Sequence, residues 1–229
     1  CHMNFAFTEE QEQLRQFVRS FLDDKSSEAA VREQMDTEQG YDPAVWAQLS
    51  DQLGLPALAI PEEFGGQGYS FVELGVVLEE MGRRLLCAPF LSGVLASQAI
   101  IHSGDDAAKA EHLPGIASGQ TLAALAFTEE SGKWDESGIT MEATDSGSDY
   151  TLSGTKSFVI DGHVANLLVV AARTAGGVSL FTVAGDAAGL SRQSLSTMDQ
   201  TRKQAKLTFA NTPATLLGTE GAGWATLST

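Results

Sequence analysis

Residues 152–173 read LSGTKSFVIDGHVANLLVVAAR. Two apolar, β-branched runs, SFVI and NLLVVAA, flank an Asp161-Gly162 step. Asp-Gly tolerates the positive φ that a tight hairpin turn needs. The stretch therefore predicts strand, hairpin, strand. Outward from it the same texture continues from Gly119 onward. LAALAF, YTLSG, SLFTV and AKLTF are further short runs, spaced by Gly, Asp, Ser and Thr. DSGSD at 145–149 sits where another hairpin turn is wanted. Such spacing predicts a small antiparallel β-barrel or sandwich.

Before Gly119 the period is helical. Thr8 and Gln11 have capping-box spacing, and Leu14, Phe17, Val18, Phe21 and Leu22 then mark one apolar face. Asp42-Pro43 starts a second helix, with Val45, Trp46, Leu49 and Leu53 as its stripe and Gly54 as its stop. Ser70 and Glu73 form another capping box before Leu74, Val77, Leu78, Met81 and Leu85. Residues 90–101 make an apolar helix ending near Gly104, and 105–118 a short one interrupted at Pro114. The expected class is α+β: an N-terminal all-α helical domain over 4–118, then the β domain over 119–222. Residues 223–229 read as the start of a new helix at Trp224, the stub of a further helical domain.

The chain has 229 residues, 43% hydrophobic and 19% charged, enough for a sizeable core. Its formal net charge of −16 repels nucleic-acid phosphates and anionic lipid, so neither is an expected partner. Cys1-His2-Met3 resembles a tag remnant, which leaves Cys87 alone, a core thiol with no disulfide partner. The acidic start MNFAFTEEQ is no signal peptide, and no window holds 18 uncharged apolar residues. A reducing, cytoplasmic location is the expectation. His102, His112 and His163 lack metal-ligand spacing, so no metal is expected. No Gly-x-Gly-x-x-Gly joins a strand to a helix, which excludes a dinucleotide-binding fingerprint.

Four stretches carry a resemblance. IPEEFGGQGYS at 60–70, LAFTEESGKWD at 125–135, the stretch at 152–173 and LLGTEGAGW at 216–224 occur in one order and at set separations. Together they resemble the acyl-CoA dehydrogenase family of flavoproteins over nearly the whole chain. That family has a helical domain, a middle β domain and a C-terminal helical domain, and the chain resembles the first two. The resemblance implies FAD as cofactor, an acyl-CoA thioester as substrate, and hydride transfer to the flavin after removal of the α-proton. It assigns the proton-removing Glu to the C-terminal domain, so no catalytic base is expected among these residues.

The resemblance also implies site residues. Phe127 and Thr128 fall where the strand end meets the flavin, with Thr128 as a hydrogen-bonding hydroxyl. Without the resemblance, Thr128 reads equally as a loop cap. Phe158, Val159 and Ile160 fall on the second flavin strand, where Phe158 replaces a Trp and Ile160 a Thr. Read from the residues, Phe158 and Ile160 also suit barrel core. Asp161 replaces an Asn in a turn that accepts either. Trp134 stands where the family has a Ser that contacts cofactor or substrate, and Glu130 where it has Pro. On the helix after Pro89, Phe90, Leu91, Val94 and Leu95 are candidates to line the acyl chain, although a core needs such residues anyway.

Three functions remain open at this point. The chain is part of an acyl-CoA dehydrogenase, a homo-oligomer or hetero-oligomer that passes electrons to an external acceptor. Alternatively it is a largely structural subunit whose partner supplies the complete flavin site, as the family includes in bacterial steroid side-chain degradation. The third reading is a flavin monooxygenase on the same fold.

Overall fold

The computed structural model describes residues 6–229, so the Cys1-His2-Met3 segment lies outside the described residues. The helical region comprises α1 (Glu9–Lys25), α2 (Glu28–Met35), α3 (Pro43–Asp51), α4 (Phe71–Arg83), α5 (Phe90–His102) and α6 (Asp106–Ala117). The helices start where cap chemistry predicts. Thr8 with Gln11 and Ser70 with Glu73 close full capping boxes, and Asp42 caps α3 ahead of Pro43. Each cap gives a partner to a backbone N–H that the first helical turn leaves unpaired.

Four details differ from the sequence pattern. Helix α2 carries no apolar stripe, and only its Val31 is buried, so its Ser27 cap was the one signal for it. Helix α6 is not interrupted at Pro114 but runs through it, with Pro114 in the last turn and one intrahelical bond lost. Phe17 points to solvent, and Leu85 lies beyond the end of α4 with a φ of 50°. The core of these helices is Val18, Leu22, Leu49, Leu55, Leu58, Leu74, Val77, Met81, Leu86 and Phe90.

A small β-barrel follows. Its strands are β1 (Ala123–Ala126), β2 (Glu142–Asp145), β3 (Tyr150–Ile160), β4 (Leu167–Thr174), β5 (Gly177–Ala184), β6 (Leu190–Ser194) and β7 (Gln204–Leu217). Their order is β1-β4-β2-β3-β7-β5, with β4–β5 pairing closing the path and β6 pairing on β7. The pairings are antiparallel except at β4, which takes β1 and one residue of β2 in parallel. The turn at 145–149 does join the hairpin β2–β3. The expected hairpin at Asp161-Gly162 does not form. β3 pairs with β2 and β7, β4 pairs with β1, β2 and β5, and residues 161–166 carry the chain across between them. Asp161 still takes the positive φ of 55° that the residue tolerates.

Strand β4 explains its own sequence. Leu168, Val170 and Ala172 fill the barrel with Leu152, Val159, Phe181, Leu207 and Phe209. Leu167, Val169 and Ala171 face the other way, against Ala96, Ala99 and Ile100 of α5 and Leu113 and Ile116 of α6. A strand covered on both faces needs a continuous apolar run rather than alternation. The short helix α7 (Gly223–Leu227) returns to the same helix-covered face through Trp224 and Leu227.

Between α1 and α4 lies Glu80, whose side chain is 1% exposed. Arg19 donates to it at 2.7 and 3.0 Å, Arg83 at 2.9 Å and Arg15 at 3.3 Å. The Arg19 hydrogen bonds, outweighing burial and aided by Arg83 and Arg15, hold the carboxyl at about 2. A depressed carboxyl pKa stabilises the fold above the ordinary carboxylate range and loses that effect as pH falls through about 2. Glu80→Gln should therefore cost about 2–3 kcal/mol in urea unfolding at pH 7, with the gap to the native protein narrowing as pH falls from 5 towards 2. Equal stability at pH 7 would show that the cluster contributes nothing.

Candidate functional site

Strand β3 breaks its alternation near its end. Lys156 and Ser157 are both buried, Phe158 is 46% exposed, and Val159 is buried again. The register against β7 shifts between Lys156 and Val159, and Phe158 has a φ of 59°. A positive φ is unusual for an aromatic residue, and a bulge is the common way to re-aim a side chain. The irregularity is locked from β1. Ser157 N–H donates to the Thr128 carbonyl at 2.9 Å, and the Thr128 hydroxyl donates to the Ser157 carbonyl at 2.8 Å. The end of β1 and the bulge thus form one edge.

Phe127 is half-buried at that edge, and its ring and that of Trp134 form a T-shaped pair, centroids 5.7 Å apart and planes at 78°. Trp134 is 78% exposed. Phe158 is not barrel core, because the bulge turns it out. Val159 lies in the barrel core, which leaves only its backbone to offer a ligand. Ile160 is half-buried opposite Gln204. On α5, which packs along β1, Leu91 is half-buried and Leu95 37% exposed, whereas Phe90 belongs to the helical core.

Beneath this edge lies a buried ion pair. Lys156 has no exposed surface, and its Nζ donates to Glu129 Oε1 at 3.0 Å and to the Phe127 carbonyl at 3.2 Å. Glu129 also accepts from the Thr140 N–H at 3.0 Å, the Thr140 hydroxyl at 2.6 Å and the Met141 N–H at 2.8 Å. Burial pushes the Glu129 carboxyl up, but Thr140, Met141 and Lys156 together hold it below the usual range. Burial brings the Lys156 ammonium down to about 8 against the pull of Glu129. Thr140 and Ser157 carried no sequence signal, because their partners Glu129 and Thr128 lie 11 and 29 positions away.

Asp161, next after the flavin-strand candidates, is more than a turn residue. Its carboxylate accepts from the Ser92 hydroxyl of α5 at 2.8 Å, and burial pushes it up to about 6 despite Ser92 and Arg202. Neighbouring barrel residues reach the helices too. His163 Nε2 meets the Gln39 carbonyl at 3.0 Å, Arg202 donates to Leu86 at 2.6 Å, and Lys203 to Met35 at 2.9 Å. No sequence signal pointed to this clasp.

The residues fit the ring portion of a flavin. Phe127 and the outward Phe158 offer flat apolar surface, and the Thr128 hydroxyl, its proton already donated, keeps acceptor capacity. Ile160 supplies no hydroxyl. Beside the loop lies an open polar hollow of about 370 Å³, bordered by Ser131, Lys133, Ser137, Thr140 and Thr155. Among the described residues no group of three or more His, Cys, Asp or Glu could hold a metal ion, and no helix is long and apolar enough to cross a membrane.

Comparison with known proteins places the chain in a family. The family model for the acyl-CoA dehydrogenase N-terminal domain matches residues 8–120, and that for the middle domain matches residues 124–212. Acyl-CoA dehydrogenase IpdE2 of Mycobacterium tuberculosis is 31% identical over 199 residues, 87% of this chain and 51% of the relative. Among solved structures, the ChsE4–ChsE5 complex of M. tuberculosis superposes with a TM-score of 0.87 at 28% identity, covering 99% of this chain and 62% of that one. The Tcur3481–Tcur3483 steroid acyl-CoA dehydrogenase variant gives 0.85 at 30% identity, over 96% and 59%. The chain thus spans about half the length of the curated relative and about three fifths of the solved chains.

Two stability measurements check the polar interior. Lys156→Met should cost about 3–5 kcal/mol, because it strands Glu129 as a buried unpaired charge, and Lys156→Met with Glu129→Gln should cost less than the sum of the two single changes. Additive losses would mean that the two groups do not act as a pair. At Asp161 the raised carboxyl pKa means that ionisation opposes folding, a penalty present above about 6 and relieved as pH falls towards the ordinary carboxylate range. Asp161→Asn should therefore raise stability by about 1–3 kcal/mol at pH 8 and by much less at pH 4.5, read from thermal melts.

Proposed function

The chain belongs to the acyl-CoA dehydrogenase family, and from that premise we propose that it forms the helical and middle-barrel part of an FAD-dependent enzyme that oxidises an acyl-CoA between its α and β carbons. In this reading residues 4–118 and 119–222 are the two domains, and residues 223–229 begin the helical domain that carries the base. The observation that carries the reading is the locked edge at Thr128 and Ser157, the residues that follow Phe127 and precede the outward Phe158. That edge gives a flat ring a surface and an acceptor hydroxyl at the rim of a rigid barrel.

Bound FAD would supply the hydride acceptor. The chain's own residues do the rest of what falls to this half of the site. Phe127 and Phe158 orient the ring face, and the Thr128 hydroxyl accepts a hydrogen bond from the ring's polar rim. Positioning of this kind lowers the barrier by holding the reacting bonds in line. Leu91 and Leu95 on α5 present apolar surface to the acyl chain and help keep water from the reacting carbons. The proton-abstracting carboxylate comes from outside these residues. The enzyme works as a homo- or hetero-oligomer in the cytoplasm and passes its electrons to an external acceptor.

A second reading is favoured by two side chains. Trp134 stands on Phe127, and Ile160 brings no hydroxyl, so the chain also suits a largely structural subunit whose partner completes the flavin site. Relatives include the two-protein ChsE4–ChsE5 complex.

Anaerobic addition of acyl-CoA to the purified, flavin-loaded assembly containing this chain should bleach the visible flavin band. The 229-residue chain alone should give no turnover with an artificial electron acceptor. Turnover by the chain alone would sink the placement of the base elsewhere, and an assembly that keeps its colour with every acyl-CoA tried would sink the dehydrogenase reading.

A further inference from the structure

The loop between Glu129 and Met141 is fixed at its base and open at its tip. At the base, Glu129 takes the Thr140 N–H, the Thr140 hydroxyl and the Met141 N–H, and Lys156 ties Glu129 to the Phe127 carbonyl. At the tip, residues 130–137 are all exposed. Gly132 has a φ of 67°, its N–H closes a turn on the Glu129 carbonyl at 2.9 Å, and the space around its Cα is open. Asp135 braces the far side of the tip by accepting from the Ser137 N–H at 2.8 Å. Trp134 therefore sits between the glycine turn and the Asp135 turn, and its indole makes a ring contact with Phe127.

An indole 78% exposed gains little from burial where it is. Trp134 is in ring contact with Phe127, one of the two rings offered to a ligand. We propose that Trp134 is a built-in lid on this aromatic edge: it occupies Phe127 in the free chain and must swing away before a flat heteroaromatic ring can lie on Phe127 and Phe158. The proposal rests on the flavin role given above to that edge and specifies what regulates access to it. An edge-to-face aromatic pair is weak, so the lid lowers ring affinity by about tenfold rather than abolishing binding. It makes Trp134 a determinant of whether this chain holds its own flavin or leaves that task to a partner. The side-chain bonds of Glu129 at the base of the loop do not involve Trp134, so rotation of the indole away from Phe127 leaves them in place.

The test uses the 229-residue chain and two probes, lumiflavin for the ring alone and FAD, followed by flavin fluorescence. Trp134 is too exposed for its replacement to threaten the fold, and a thermal melt confirms that each variant folds. Trp134→Ser should bind lumiflavin about tenfold more tightly than the native chain, and FAD by a similar factor. Trp134→Phe, which keeps a smaller ring over Phe127, should gain less. Phe158→Ala in the Trp134→Ser background should return lumiflavin affinity to the native level or below, which locates the ring on this edge. The lid is overturned if Trp134→Ser binds lumiflavin no more tightly than the native chain, including the case where neither binds. It is also overturned if the gain survives Phe158→Ala. These outcomes are separate from the acyl-CoA assay. An assembly that keeps its colour there removes the dehydrogenase reading and leaves the lid intact, whereas a failed lid leaves an active assembly unexplained only in how its flavin gains access.

Discussion

The candidate site depends on one break in strand periodicity. A regular strand sends neighbours to opposite faces, so Lys156 and Ser157 cannot both be buried while Phe158 points out and Val159 points in. The register shift against β7 and the positive φ of Phe158 resolve the conflict. Strain of this kind persists only where the surroundings over-determine it. Here the reciprocal bonds between Thr128 and Ser157 do so from one side, and the barrel core takes Val159 from the other. Without the shift, Phe158 would enter the barrel and the edge would lose its outward ring.

The polar groups beneath the edge follow from the same break. Once Lys156 is turned inward, its ammonium needs acceptors, and the Phe127 carbonyl and Glu129 provide them. Glu129 in turn needs more than one donor to remain ionised out of water, and Thr140 and Met141 supply three. A buried ion pair of this quality contributes less to net stability than to geometry, since desolvation offsets much of the attraction. Its effect is to fix three segments at once: the end of β1, the exit of the 129–141 loop and the bulge of β3. The Asp161 clasp then ties the next residues to α5, so the edge and the helix bearing Leu91 and Leu95 share one frame.

How much of this was legible beforehand varies with the range of the interaction. Helix starts at Thr8, Asp42 and Ser70 were readable because caps act within three residues. The β texture was readable because burial sets composition directly. The Asp161-Gly162 hairpin was misread because the dipeptide reports only local backbone preference. Strand partners are chosen by long-range packing, which gave β3 to β7 and β4 to β5. Phe158 resisted a residue-based reading for the same reason, since alternation assumes an unbroken ladder. Thr128, even-handed between cap and ligand on residue type alone, was placed at the edge by its bond to Ser157, twenty-nine positions away.

The two functional readings differ less in the scaffold than in what lies on top of it. Every element that builds the edge is present: the bulge, the outward Phe158, the Thr128–Ser157 lock and the Glu129–Lys156 support. A chain released from any flavin role would keep a barrel core but would have no evident need to hold an exposed aromatic at positive φ over a buried lysine. The departures at Trp134 and Ile160 touch only surface contacts and leave that support untouched. Physical economy therefore favours an edge that still meets a flat ring, with access to it set by the loop tip rather than lost with the scaffold.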